Sequence, residues 1–214
     1  MGITNRGPVA EIRSEQGVTL IEVIIAIAIM GIVATAATGL AISSMTGSVT
    51  QKHRGIAVTV ANDAMEQVTG LPAALLYGGR SAADVAASYV ANSSTSAVAN
   101  TYQEYDHTTP LPSAQKVPIN KTVTQDGTVY KVTTLIGTCF QKLGTAPGQA
   151  AGGDCTKLAS PTLPSLYPGY TPLTRVIVLV RWTGGQGCTS ASPCSYSATT
   201  LIDAHSDLEW TTNG

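Results

Sequence analysis

Charge is scarce in this chain: Asp, Glu, Lys and Arg make up 12% of 214 residues, about half their usual share in a soluble globular protein. Lys plus Arg number 12 and Asp plus Glu 13, a net charge of -1. A dedicated nucleic-acid binder needs a basic stripe to displace counterions, so nucleic acid is not expected as a direct general ligand. Aromatic residues are 5%, with a single Phe, which restricts the core to aliphatic packing and weakens the case for a large cofactor pocket. No cofactor is expected. The three histidines, His53, His107 and His205, stand in no Ser-His-Asp spacing, and neither a phosphate loop nor a dinucleotide fingerprint occurs. An enzyme is therefore not expected, and the length suits one domain or one domain with an appended element.

Long apolar runs are not lacking. From Val18 to Gln51 the only ionisable side chain is Glu22, and the stretch from Val18 to Ile42 would reach roughly 37 Å as a helix, more than the ~30 Å hydrocarbon core of a bilayer. A secretory signal has a shorter apolar region of ~7 to 15 residues. Orientation does not follow from positive charge, since Arg6 and Arg13 precede the span while Lys52 and Arg54 follow it. Glu22 is the exception that matters, because an intramembrane carboxylate is costly without a partner and is by default a functional residue. It could snorkel to the interface from its position near the start of the span. Otherwise its cation must come from another molecule or from a new chain terminus made by cleavage.

The run Gln16-Gly17-Val18-Thr19-Leu20-Ile21-Glu22-Val23 resembles the prepilin cleavage and methylation signal of type IV pilins and type II secretion pseudopilins. Snorkelling explains the carboxylate alone; the resemblance also explains Gly17. It implies that a membrane peptidase and methyltransferase cuts between Gly17 and Val18 and methylates the new Val18 amine. Glu22 would then recruit a neighbouring subunit by pairing with that subunit's terminal amine. Two departures from the family pattern are Val18 in place of Phe or Met and a leader without net side-chain charge.

Apolar spacing continues beyond the span at Val49, Ile56, Val60, Ala64 and Val68, flanked by Ala57, Ala61 and Met65. No Pro lies between Pro8 and Pro72, so one helix is expected from about Val18 to Thr69, ended by Gly70 as a left-handed cap and by Pro72. Gly31, Gly39, Gly47 and Gly55 recur at intervals of eight; they suit close packing between membrane helices or local stretching of the helix in a filament. The segment from Asn62 to Val68 looks like the corresponding stretch of minor pilins.

Residues 71-115 are rich in Ala, Ser, Thr and Asn and read as a connection, with one short helix opened by Ser81 and Asp84 in capping-box spacing. Tyr102 and Tyr105 within it suit packing or a contact surface. From Val117 the period becomes two, and Asp126-Gly127 is a strong hairpin turn that sets Val123 opposite Tyr130, Lys121 opposite Val132, Ile119 opposite Thr134 and Val117 opposite Ile136. The stretch from Arg175 to Trp182 is apolar on both faces, as a central strand requires, with its partner from Tyr196 to Asp203. TVYKVTT and RVIVLVRW resemble strands of minor pilins.

The four cysteines, Cys139, Cys155, Cys188 and Cys194, fall in the half expected outside the membrane, where disulfides persist. Three connectivities are possible; order along the strands suggests Cys139 with Cys155 and Cys188 with Cys194. Their spacings match no two-knuckle zinc pattern. Asp203, His205 and Asp207 would share a strand face and form a weak candidate for a divalent cation.

The expected organisation is thus a leader at 1-17, a transmembrane half-helix at 18-42, an amphipathic half at 43-70, a connecting region at 71-115 and a disulfide-containing antiparallel head at 116-214. The fold class is α+β and pilin-like, with a long helix on a four-stranded sheet. The resemblance implies a structural subunit, a minor pilin or pseudopilin. Its implied partners are the prepilin peptidase, other pilins or pseudopilins, an assembly platform and membrane lipid. Its implied location is the cytoplasmic membrane with the head outside, and then a surface or periplasmic filament. A membrane-tethered binding or adhesion domain that never polymerises is the alternative from another class.

Overall fold

The computed structural model describes residues 17–112, 114–142, 154–159, 169–185 and 187–203. The chain divides into two units, Met1–Gly47 and Ser48–Gly214, and one helix, α1 (Leu20–Thr69), runs through the division. In the first unit α1 exposes apolar side chains all round, Leu20, Ile24, Ile29, Ile32, Val33 and Leu40 among them. Three of its threonine hydroxyls bond back to the helix's own carbonyls. Thr35 donates to the Gly31 carbonyl at 3.1 Å, Thr38 to Ala34 at 2.8 Å and Thr46 to Ile42 at 3.1 Å, which removes the cost of taking these donors out of water. Among the described residues, this helix is long and apolar enough to cross a membrane.

The second unit is an α+β head. The part of α1 from Ser48 on buries Ala57, Val60, Ala61 and Val68, a stripe of small and β-branched residues at helical spacing. Val49 departs from the expected apolar face and is 46% exposed. Gly70 is a second departure: it has no positive φ, and its amide bonds the Glu66 carbonyl at 2.9 Å as a helical residue would. The helix therefore ends at Thr69 without a left-handed cap, and Pro72, which cannot donate, keeps it from resuming. A single 3-10 turn (Ala73–Leu75) follows, then α2 (Ala82–Ala91), α3 (Ser96–Ala99) and β1 (Tyr102–Gln103). Ser81 caps α2, its hydroxyl oxygen accepting from the Asp84 amide at 3.1 Å. Both α3 and β1 lie in the stretch expected to be plain connection.

The remaining strands are β2 (Asn120–Gln125), β3 (Thr128–Lys142), β4 (Tyr170–Trp182) and β5 (Cys194–Ile202). All pairings are antiparallel, in the order β1-β3-β4-β5, with β2 also on β3. The sheet therefore has five strands where four were expected, the fifth being the two-residue β1 on the same edge of β3 as β2. The turn between β2 and β3 has φ of 49° at Asp126 and 74° at Gly127, the doubly positive geometry that matches strand twist. Val123 faces Tyr130 and Lys121 faces Val132. The ladder ends at Asn120 with Thr133, because the Ile119 amide turns to Gln115 Oε1 at 2.9 Å and the Thr134 carbonyl accepts from Arg80 instead. Thr134 still donates to the Ile119 carbonyl at 2.8 Å, but Val117 is not a strand residue.

Two cores result from strand alternation. On one face Tyr130, Val132, Ile136, Val176, Val178, Val180 and Trp182 meet the buried stripe of α1. On the other, Leu135, Ile177 and Leu179 meet Val85 and Tyr89 of α2 and Val98 of α3. Gly137 permits the second layer: a Cβ there would fall on the Tyr102 carbonyl oxygen and the Tyr89 hydroxyl, and within 2.8 Å of Thr101 Cγ2. Gly137→Ala is expected to push β1 and α2 off the sheet and to cost about 1 to 3 kcal/mol or more, as overpacking does. Thermal or denaturant melting of the detergent-solubilised chain checks this; an unchanged midpoint would contradict it.

Both disulfides are local clamps. Cys139–Cys155 (Cα atoms 5.5 Å apart) fastens β3 to a short segment that also pairs through Phe140 and Thr156. Cys188–Cys194 (5.0 Å) closes the loop between β4 and β5.

Candidate processing and assembly site

Gly17, Val18 and Thr19 lead into α1, and the Thr19 carbonyl accepts the first helical bonds, from the amides of Glu22 at 3.1 Å and Val23 at 3.3 Å. Among the described residues nothing requires glycine at position 17: none of their atoms lies within 4 Å of where its Cβ would be. Val18 is 70% exposed beside it, so the Gly17–Val18 peptide is sterically open.

Glu22 sits in the first turn of α1, where the unpaired amides and the helix dipole favour a negative charge. It lies in a shallow hollow along one helix face, lined by Val18, Val23, Ala26, Ile27 and Met30. The spacing of four residues between Val18, Glu22, Ala26 and Met30 puts the carboxylate in the middle of an apolar stripe. Among the described residues no cation pairs with it; the ion pair of the head joins Lys52 to Asp126 at 3.0 Å. An ammonium group brought by another molecule would find here a carboxylate, a favourable dipole and apolar walls.

The other candidates are placed as follows. Asp203 directly follows the end of β5 at Ile202, while His205 and Asp207 lie outside the described residues. His53 Nδ1 is 3.0 Å from the Tyr130 hydroxyl, bracing α1 against β3. Tyr102 packs edge-on to Phe140 at 6.2 Å and donates to the Leu158 carbonyl. Tyr105 stacks on His107 at 4.2 Å.

The reading of the residues missed two buried arginines. Arg80 is fully buried; its Nη2 donates to the Thr134 carbonyl at 2.6 Å, while Nε and Nη1 find no partner among the described residues. Burial pulls its pKa down to about 10, opposed by Tyr89 and Tyr77. Burial also pushes the Tyr89 hydroxyl well above the ordinary range. Arg175 on β4 donates through Nη1 to the Ala97 carbonyl at 3.1 Å, the Asn100 carbonyl at 3.3 Å and Thr101 Oγ1 at 3.1 Å, and through Nη2 to the Cys155 carbonyl. It thereby ties the end of α3 to the disulfide segment, and its pKa is lowered, mainly by burial.

Residues 12–38 match a family model described as the prokaryotic N-terminal methylation motif. No curated protein and no solved structure matches the chain. The matched model describes a processing signal and ends within α1, so it carries no information about the head. Motif and apolar helix together point to membrane anchoring. The chain thus bears a prepilin-type signal of the kind found in type IV pilins and pseudopilins.

Proposed function

We propose that the chain is a structural subunit, a minor pilin or pseudopilin, of a type IV pilus or type II secretion-like filament. It enters the cytoplasmic membrane through the first part of α1 with its head outside. A prepilin peptidase cuts between Gly17 and Val18, the Val18 amine is methylated, and Glu22 receives the terminal amine of a neighbouring subunit during assembly with other pilins on a platform. The observation that carries this reading is the site's open end. A glycine that no described residue crowds precedes an exposed Val18, and a carboxylate that pairs with no cation among the described residues stands four residues further on, on an unburied apolar helix. A charged group in such surroundings is expensive unless another molecule meets it.

The expected result is a membrane-purified chain whose amino terminus is Val18 carrying one methyl group, read by mass spectrometry. An intact Met1, or a cut near Ala36, would overturn the processing step.

A further inference from the structure

The strands of the head carry charge of one sign only. Lys121, Lys131, Lys142, Arg175 and Arg181 lie on β2, β3 and β4, and no Asp or Glu lies on any of the five strands. Lys131 and Arg181 are moreover direct cross-strand partners, a like-charge pair that destabilises a sheet. Both point to the face opposite α1, since their neighbours Tyr130, Val132, Val180 and Trp182 belong to the core under the helix. On that outer face α2 and α3 cover Leu135, Ile177 and Leu179 and leave the Lys131–Arg181 end open. Beside the pair, Val129, Thr183, Ser190 and Pro193 line a hollow. Among the described residues no carboxylate pairs with either cation.

The complementary charge is on the other side of the head. Asp63 and Glu66 are exposed on α1 with no cation paired to them among the described residues. At about 100° per residue, Glu66 lies about 180° and Asp63 about 120° from the stripe that α1 turns to the sheet. The Lys131–Arg181 end of the sheet and the outer side of α1 at Asp63 and Glu66 thus carry opposite charges.

We infer that the Lys131–Arg181 face of one copy receives the Asp63–Glu66 face of α1 from a second copy. The two surfaces differ and lie on opposite sides of the head, so the contact is head-to-tail; if its rotation does not close, it propagates into an open helical array and not a closed dimer. The inference rests on the filament reading above and adds a contact of the heads to one of the membrane helices. Exposed ion pairs are individually weak and screened by salt. They gain effect here because helices already packed in the fibre hold the heads at high effective concentration. The array also removes the like-charge cost that each head carries alone.

The test uses the full chain in sheared fibres, assembled from isotopically labelled and unlabelled copies and treated with a zero-length carbodiimide cross-linker. Expected is a labelled-to-unlabelled link from Lys131 to Asp63 or Glu66. Its yield and the incorporation of the chain should fall about threefold to tenfold in Lys131→Glu/Arg181→Glu and in Asp63→Lys/Glu66→Lys, and should recover when the four changes are combined. Fibres that contain wild-type chain but give no such link, or no recovery in the fourfold variant, would overturn the head contact alone. So would a Lys131 link to a carboxylate of its own chain, or retention of a double-stranded DNA fragment that depends on the basic pair while incorporation does not. Wild-type chain absent from fibres would overturn the filament reading, and this contact with it.

Discussion

Arg175→Met should destabilise the head far more than Arg80→Met, although Arg80 is the more deeply buried of the two. A buried charge is favourable only when hydrogen bonds replace its hydration. Arg175 has four acceptors, the carbonyls of Ala97, Asn100 and Cys155 and the Thr101 hydroxyl. Methionine fills similar volume but removes this donor; the Ala97 carbonyl keeps the Thr101 hydroxyl, whereas the buried Cys155 carbonyl loses its bond to Arg175, and an unpaired buried acceptor costs roughly 1 to 3 kcal/mol. Because the four losses are not additive, a total of about 3 to 5 kcal/mol is expected. For a head of this size that lowers the melting temperature by roughly 6 to 20 °C at ~2 to 4 °C per kcal/mol. Arg80 meets one carbonyl and keeps two nitrogens unpartnered among the described residues, so its replacement relieves about as much desolvation as it loses, and a change within about 1 kcal/mol is expected. Circular dichroism melts of both variants in detergent decide the matter. Equal losses would show that burial alone, and not the number of acceptors, sets the cost.

These arginines show where the amino-acid sequence stops being legible. Helix α1 could be read because its periodicity runs unbroken to Pro72, and the β2–β3 register because Asp126-Gly127 permits one turn geometry. Neither reading depends on distant residues. Alternation from Val117 through Ile119 predicts that β2 begins at Val117, but it does not register that the Ile119 amide is taken by Gln115 and the Thr134 carbonyl by Arg80. The strand β1 and helix α3 are too short to leave a periodic trace; their positions are set by Gly137 and by Arg175, residues far along the chain. Arg175 reads as a charged end to an apolar strand. That its face is covered depends on α2 and α3 folding over it, which no local pattern records. At the amino terminus the reverse holds, since Gly17, Val18 and Glu22 lie within six residues at the start of α1, so their spacing in sequence sets their geometry. The candidate pair His205 and Asp207 lies outside the described residues.

Glu22→Gln should leave membrane insertion intact and weaken entry into fibres. An ionised carboxylate near the centre of a span costs about 2.5 to 3.5 kcal/mol on insertion scales, so the neutral amide makes α1 no harder to bury and anchoring should not suffer. Assembly should, because the hollow of Val18, Val23, Ala26, Ile27 and Met30 would receive a charged terminal amine with no counter-charge. Removing one partner of a buried pair typically costs roughly 3 to 5 kcal/mol. At about 1.4 kcal/mol per factor of ten this is a hundredfold or more in subunit affinity. The effect is electrostatic, so Glu22→Asp, which keeps the charge on a shorter stem, should retain part of the assembly that Glu22→Gln loses. The measurement is the fraction of chain recovered in sheared fibres beside the fraction in membranes. Equal fibre incorporation of wild type and Glu22→Gln would mean that the carboxylate recruits nothing, and would favour a tethered domain that does not polymerise.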